Sequence, residues 1–251
     1  MAIILSEISS REPKDAEKER IKRRTLKYLQ KIEELQKKLY AEEKNALLVI
    51  FQGMDASGKD GAIKNIFSGL IPMGVHVHCF KKPTEEEFGH DFLWRVHHVV
   101  PRKGMVQIFN RSHYEDVLIQ RVNKWIDEET VQNRFVHINN FEKLLEDTGT
   151  KVLKFYLHIS KEAQLERLME RKTNPEKHWK HNPDDMKERE LWDDYMMAYE
   201  DCFKNCSEHA TWHIIPADKN WYKEYLVAKY VCEALEEMDP QFPKLEEDSN
   251  T

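Results

Sequence analysis

Cysteine is scarce in this 251-residue sequence: only Cys79, Cys202, Cys206 and Cys232 occur, which excludes the dense disulfide framework of a small secreted domain. Glycine and proline are scarce too, at eight and nine residues, which excludes collagen-like and low-complexity chains and favours a helix-rich globular protein. No apolar run reaches the roughly 20 residues that a membrane-spanning helix needs. The opening run Ala2–Leu5 is also far too short for a secretion signal. The expected compartment is therefore the cytosol, with no membrane partner. A surplus of positive charge is missing as well. A net charge of −6 argues against a broad basic face for nucleic acid, so an anionic ligand must be met by a local cluster of cations.

What is present is a set of clustered aliphatics, at Ala46–Phe51 and Val152–Leu157, in a chain long enough for one elaborated α/β domain and short for two. Apolar residues Ile21, Tyr28, Ile32, Leu35 and Leu39 recur at helical spacing and predict a long amphipathic helix over Lys14–Glu43. Its stripe spans under three heptads, which favours a helix covering the main domain over a coiled-coil arm. Short buried strands are predicted at Ala46–Gln52, Val75–Phe80, Met105–Phe109, Lys151–Ile159 and Thr211–Ile215, with helical stretches between them. This alternation implies a parallel sheet covered on both faces, with ligands at the carboxyl ends of its strands. The last helices are placed at Lys187–Asn205 and Asn220–Glu237. The expected division is a helical extension over 1–44, one α/β domain over 45–238, and a flexible acidic tail over 239–251.

The segment Gly53-Met54-Asp55-Ala56-Ser57-Gly58-Lys59-Asp60-Gly61 follows the first strand and opens a helix predicted over Ala62–Leu70. That is the context of a phosphate-binding loop. Glycines at 53 and 58 let successive N–H groups face a phosphate, the helix start adds its positive end, and Lys59 adds a mobile charge. Ala56, Ser57, Gly58, Lys59 and Asp60 are the expected phosphate contacts. Asp60 stands where nucleotide-hydrolysing loops usually carry Ser or Thr. A carboxylate beside a phosphate costs about 4 kcal/mol at a separation of about 4 Å and an effective dielectric of about 20, unless a cation lies between them. Asp55 poses the same problem, so Mg²⁺ is expected at one of the two, with Mn²⁺ as a substitute.

A second centre follows the third strand, in Asn110-Arg111-Ser112-His113-Tyr114-Glu115-Asp116. Arg111 suits the spread charge of a transferring phosphoryl group, and Glu115 or Asp116 suits magnesium, the alternative for both acids being a helix N-terminus. A phosphohistidine at His113 is the less favoured role. Between Arg167 and His181 five cations, Arg167, Arg171, Lys172, Lys177 and Lys180, face two acids. Arg167 and Arg171 share one helix face, and Asn174-Pro175 stops that helix, which is the composition of a lid over about 167–187 that closes on phosphates. Cys202, Cys206, His209 and His213 lack zinc-finger spacing, since Cys206 and His209 are nearly adjacent.

Together with Phe80-Lys81-Lys82-Pro83-Thr84 and Asp91-Phe92-Leu93-Trp94-Arg95, these motifs resemble the second family of polyphosphate kinases, within the thymidylate-kinase-like group, over roughly Leu47 to Tyr225. The resemblance implies a three-layer P-loop kinase fold with a five-stranded parallel sheet and a helical lid. It also implies direct phosphoryl transfer between inorganic polyphosphate and a nucleoside mono- or diphosphate, in a homo-oligomer, dimer or tetramer. By the same resemblance Asp55, Lys59 and Arg111 sit at the phosphoryl groups, Arg171 on the lid, Arg167 in support, and Lys81 and Arg95 near the acceptor nucleotide. Many family members acting on diphosphates carry Asp where this chain has Asn110. The chain therefore resembles the subgroup accepting AMP and ADP, with guanine nucleotides as a further acceptor, and Asp116 would have to compensate as a metal ligand beside Asp55 and Glu115. The rivals are an ATP-dependent nucleoside or nucleotide kinase, which Asp60 speaks against, and a non-catalytic P-loop module.

Overall fold

A computed structural model describes residues 3–245. Five strands, β1 (Ala46–Gln52), β2 (Val75–Cys79), β3 (Val106–Asn110), β4 (Thr150–His158) and β5 (Trp212–Pro216), form one sheet in the order β2-β3-β1-β4-β5. Every pairing is parallel, with Leu47 opposite Val106 on one side of β1 and opposite Lys151 on the other. The helices between and beside them are α1 (Lys18–Glu42), α2 (Lys59–Phe67), α3 (Glu85–Phe88), α4 (Trp94–His97), α5 (Ile119–Val122), α6 (Glu128–Asp147), α7 (Lys161–Thr173), α8 (Asp185–Glu190), α9 (Trp192–Asn205) and α10 (Asn220–Met238). Among the described residues no helix is long and apolar enough to cross a membrane.

The central strand explains the layering. All seven residues of β1 are buried, and successive side chains leave a strand on opposite faces. Leu47, Val49 and Phe51 enter a core shared with α1, α2 and α10, whereas Leu48 and Ile50 enter a second core with Phe141 and Leu145 of α6. Each fully buried side chain of this kind contributes about 1.5–3 kcal/mol of transfer free energy, so helices on both faces are required and a three-layer α/β fold results. Helix α1 lies along α10, and Leu5 ahead of it is buried with its N–H donated to Glu200 Oε1 at 2.7 Å.

The strands lie within a residue or two of the sequence expectation. Other bounds move further. The first helix begins at Lys18 rather than Lys14, and α2 begins at Lys59, directly out of the loop, rather than at Ala62. The helix expected over Lys187–Asn205 is two helices meeting at Leu191, where the backbone leaves helical geometry. The segment after Asn174 is a 3₁₀ helix over Pro175–Lys180, started by Pro175 and by the Asn174 side chain accepting from the Glu176 N–H at 3.0 Å. Residues 239–245 carry no regular structure, and the rest of the expected tail lies outside the described residues.

Candidate active site

The carboxyl end of β1 turns sharply. Gly53 and Gly58 take φ values of 148° and 95°, where a side chain is strained, and between them Ala56 stands at 62°. Three left-handed residues in six reverse the chain so that the carbonyls of 56–58 point back into the protein. Arg167, on α7, donates to the carbonyls of Ala56 and Ser57, both at 3.0 Å, and to those of Ala217 and Asp218 at 2.7 and 2.9 Å. Gln164, one turn earlier, donates to the Asp55 carbonyl at 3.0 Å. The loop is thus braced from behind, and the helix that starts at Lys59 presents its free N–H groups forward.

Arg111, immediately after β3, is also left-handed, at φ 62°, while its N–H still donates to the Phe51 carbonyl at 3.0 Å. The turn sends its guanidinium between two carboxylates, Asp55 at 2.5 Å and Glu115 at 3.0 Å. These acids hold the guanidinium proton more firmly than usual, Glu115 most of all. Burial alone would raise the Asp55 carboxyl, but Arg111, Lys59 and Arg171 together hold it below its ordinary range. Lys59 folds back on its own loop, donating to the carbonyls of Gly53 and Met54 at 2.7 and 3.2 Å. Burial, with Arg111 adding to it, lowers its ammonium to about 8. Asp60 is answered by other cations and donors: Lys180 at 2.8 Å and the Asn110 amide at 2.9 Å, which overcome burial and keep it ionised. Both carboxylates that looked costly in an anion cradle therefore have a protein cation beside them.

Asp55, Lys59, Asp60, Asn110, Arg111, Arg167 and Lys180 line a cleft of about 500 Å³ together with Cys79, Phe80, Glu170, Arg171, Lys177, Asn220 and Lys223. Arg171 pairs with Asp185 of α8 at 2.9 Å, and Lys177 with Glu170 at 2.6 Å. Of the expected site residues, Asp55, Ala56, Gly58, Lys59, Asp60, Asn110, Arg111, Arg167, Arg171, Lys177 and Lys180 meet at this cleft, and Ser57 is buried beneath it. Three expectations need correction. Asp116 faces away, 3% exposed, held by Arg95 at 3.5 Å and by the Gln120 amide, off the cleft that Asn110 lines, and burial raises its carboxyl to about 6. Arg95 is equally committed, donating to the Lys81 carbonyl at 3.0 Å and pairing with Asp116, so it orients the segment bearing Lys81 and does not reach the cleft itself. Lys81 is exposed and off the cleft lining. His113 is wholly buried against Tyr114 and Phe141, out of reach of any phosphate. Cys202 and Cys206 are buried free thiols.

Lys223 and Asn220, at the start of α10, are among the cleft residues that escaped the sequence reading. The signal was there: Lys223, Val227 and Val231 recur every fourth residue on the buried face of one helix, and a lysine on such a face needs a partner. Among the described residues no three His, Cys, Asp or Glu side chains form a metal cage. Mg²⁺ is commonly held by one or two carboxylates with water and substrate phosphates completing the shell. Asp55 and Asp60, both in the cleft lining, fit that donor set.

A phosphate loop after the central strand of a parallel sheet, faced by cations from separate elements, defines a P-loop kinase fold and a phosphotransferase site. A family model described as Polyphosphate kinase 2 (PPK2) matches residues 15–243. The chain is 51% identical over 217 residues to an AMP/ADP-polyphosphate phosphotransferase of Meiothermus ruber, covering 86% of this chain and 81% of that protein. It is 41% identical to an ADP-polyphosphate phosphotransferase of Rhodopseudomonas palustris, over 86% of this chain and 79% of the other. The crystal structure of Polyphosphate Kinase 2 from Arthrobacter aurescens TC1 superposes with a TM-score of 0.94 at 40% identity, covering 98% of this chain and 89% of that one. The chain belongs to the polyphosphate kinase 2 family.

Proposed function

We propose that this protein moves the terminal phosphoryl group between inorganic polyphosphate and AMP or ADP, forming ADP or ATP, by direct in-line transfer with Mg²⁺. The observation that carries this reading is the charge of the cleft. In a protein of net charge −6, seven cations (Lys59, Arg111, Arg167, Arg171, Lys177, Lys180 and Lys223) line one cavity against three acids (Asp55, Asp60 and Glu170). That surplus suits a ligand with many phosphates. The relatives from Meiothermus ruber and Rhodopseudomonas palustris, named for AMP/ADP and ADP phosphotransfer with polyphosphate, support the acceptor assignment.

The terminal phosphate oxygen of the nucleotide is already ionised, so it attacks the end phosphorus of the chain without a general base. One P–O bond forms as the bridging P–O bond breaks, and the shortened polyphosphate leaves as an anion with no proton moved. Lys59 and Arg111 flank the transferring group from the loop and from β3, and Arg171 meets it from the lid helix. Each gains strength as charge spreads over the equatorial oxygens in a water-poor cleft. Asp55 and Asp60 would hold Mg²⁺, with Glu115 keeping Arg111 in place; when bound, the metal neutralises charge on adjacent phosphates. The burial of His113 supports a route with no phosphoenzyme. The reading includes the cytosol as compartment, guanine nucleotides as a further acceptor and, by family resemblance, a homo-oligomer, dimer or tetramer.

Incubating AMP, and separately ADP, with polyphosphate and Mg²⁺ should yield ATP. Lys59→Ala or Arg171→Ala should lower turnover by at least about 100-fold with the unfolding midpoint retained. A variant with undiminished turnover would remove that residue from the site.

A further inference from the structure

The cleft differs chemically from one end to the other. Toward β2 and β3 it is lined by Cys79, Phe80 and Asn110, and beyond β4 and β5 by Arg167, Asn220 and Lys223. The first end offers an aromatic edge and an amide, surfaces that a nucleobase and ribose can use. The second offers cations and one amide and no apolar platform. A chain of phosphates asks for that end and a nucleotide does not.

Lys223 has the most specific geometry there. Its side chain is 1% exposed, and its ammonium donates to the Gly58 carbonyl at 3.0 Å and to Asn220 Oδ1 at 2.9 Å. An ammonium has three donors, so one N–H remains, on a residue that lines the cleft. Neither partner is a carboxylate, and a buried cation left without a counter-ion is costly. The neighbouring Arg167 cannot share the task, because its fork is spread over four backbone carbonyls. Gly58 leaves the path open: a Cβ at that position would overlap Lys223 Nζ and lie 3.4 Å from Arg167 Nη1 and 3.6 Å from Asn220 Oδ1. Burial and Arg167 hold the ammonium at about 8, below the ordinary lysine range, as befits a cation whose anion arrives with the substrate.

Resting on the phosphotransfer reading above, we propose that Lys223, oriented by Asn220, binds a phosphate of the polyphosphate chain, which runs from the loop outward across the first turn of α10 while the nucleotide takes the β2–β3 end. Lys223 then grips a phosphate of the chain where it leaves the loop, so its loss falls on affinity for the chain rather than for the nucleotide.

Initial-rate kinetics with polyphosphate and ADP varied separately test this in the unaltered enzyme, Lys223→Met and Asn220→Asp. Asn220 is exposed, so its variant keeps the lysine and the fold while placing a carboxylate against the ammonium to compete with phosphate. Each variant should raise KM for polyphosphate about tenfold, the loss of one charge-assisted hydrogen bond, with KM for ADP within about twofold. An unchanged polyphosphate KM, or a rise confined to the ADP KM, overturns the inference. Should Lys223→Met fail to fold by thermal unfolding, Asn220→Asp decides alone. An unaltered enzyme that leaves polyphosphate untouched overturns the phosphotransfer reading, and this inference with it.

Discussion

Arg111 and Ala56 both stand at φ 62°, a conformation that costs a non-glycine residue about 1–2 kcal/mol. Both are at the cleft, where the surrounding contacts hold them: Arg111 between Asp55 and Glu115, Ala56 under the Arg167 fork. Lys223 makes a prediction of its own at this scale. Its folded value of about 8 lies below the roughly 10.4 of an unfolded lysine. Below pH 8 the ammonium is charged in both states and its burial counts fully against the fold. Between about 8 and 10.4 the unfolded chain binds the extra proton, so stability gains with rising pH. The difference in unfolding free energy between Lys223→Met and the unaltered protein should therefore favour the variant most below pH 8 and shift back toward the unaltered protein as pH rises to about 10. A urea-unfolding series across that range, with a pH-independent difference, would sink the argument. Residue identity made Asp55, Lys59, Arg111 and Arg171 legible as site residues. It could not separate Glu115 from its neighbour Asp116, because which of two adjacent acids turns toward Arg111 is decided by a short 3₁₀ turn and by Arg95 arriving from another segment.

The strands were the most legible elements, β1 and β4 above all as apolar runs that both sheet faces require, whereas the edge strand β2 alternates valine with histidine and buries none of its residues. Helix α1 was legible through its stripe, whereas the break at Leu191 between α8 and α9 carries no glycine or proline to announce it. Strand β4 also conceals a charge. Lys154 is wholly buried and donates to Glu142 of α6 at 2.5 Å, to Tyr114 at 2.8 Å and to the Cys206 carbonyl at 2.8 Å, while Tyr114 donates to Glu142 at 2.8 Å. The cluster ties β4 and α6 to the turn that follows Arg111. Removing one partner strands a buried charge, so Glu142→Leu should cost about 3–5 kcal/mol in urea unfolding, and the double change Glu142→Leu with Lys154→Met should recover most of it. A double variant no more stable than the single would show that the pair is not the reason.

At the scale of the whole molecule, the core on both sheet faces is complete without any ligand, and Asp55 and Asp60 already have Arg111 and Lys180 beside them. Chelating divalent metal should therefore abolish phosphoryl transfer while leaving the unfolding midpoint within about 2 °C. Coincident loss of activity and of a large part of the melting temperature would instead assign the metal a structural role. The segment ahead of α1 belongs to this scale as well: Leu5 meets Glu200, Ser10 meets Asp218, and the Ile8 carbonyl meets His158, so this stretch is fastened across the ends of β4 and β5. Sequence alone determined the alternating strands and helices, the parallel sheet and the phosphate loop, because periodicity and the loop's spacing are local and each implies its own backbone. Only the tertiary structure decided that Asp116 turns inward, that Arg167 braces carbonyls and that Lys223 reaches the loop from 165 residues away. Such facts depend on which charges become neighbours when distant segments pack, and no local pattern carries that information.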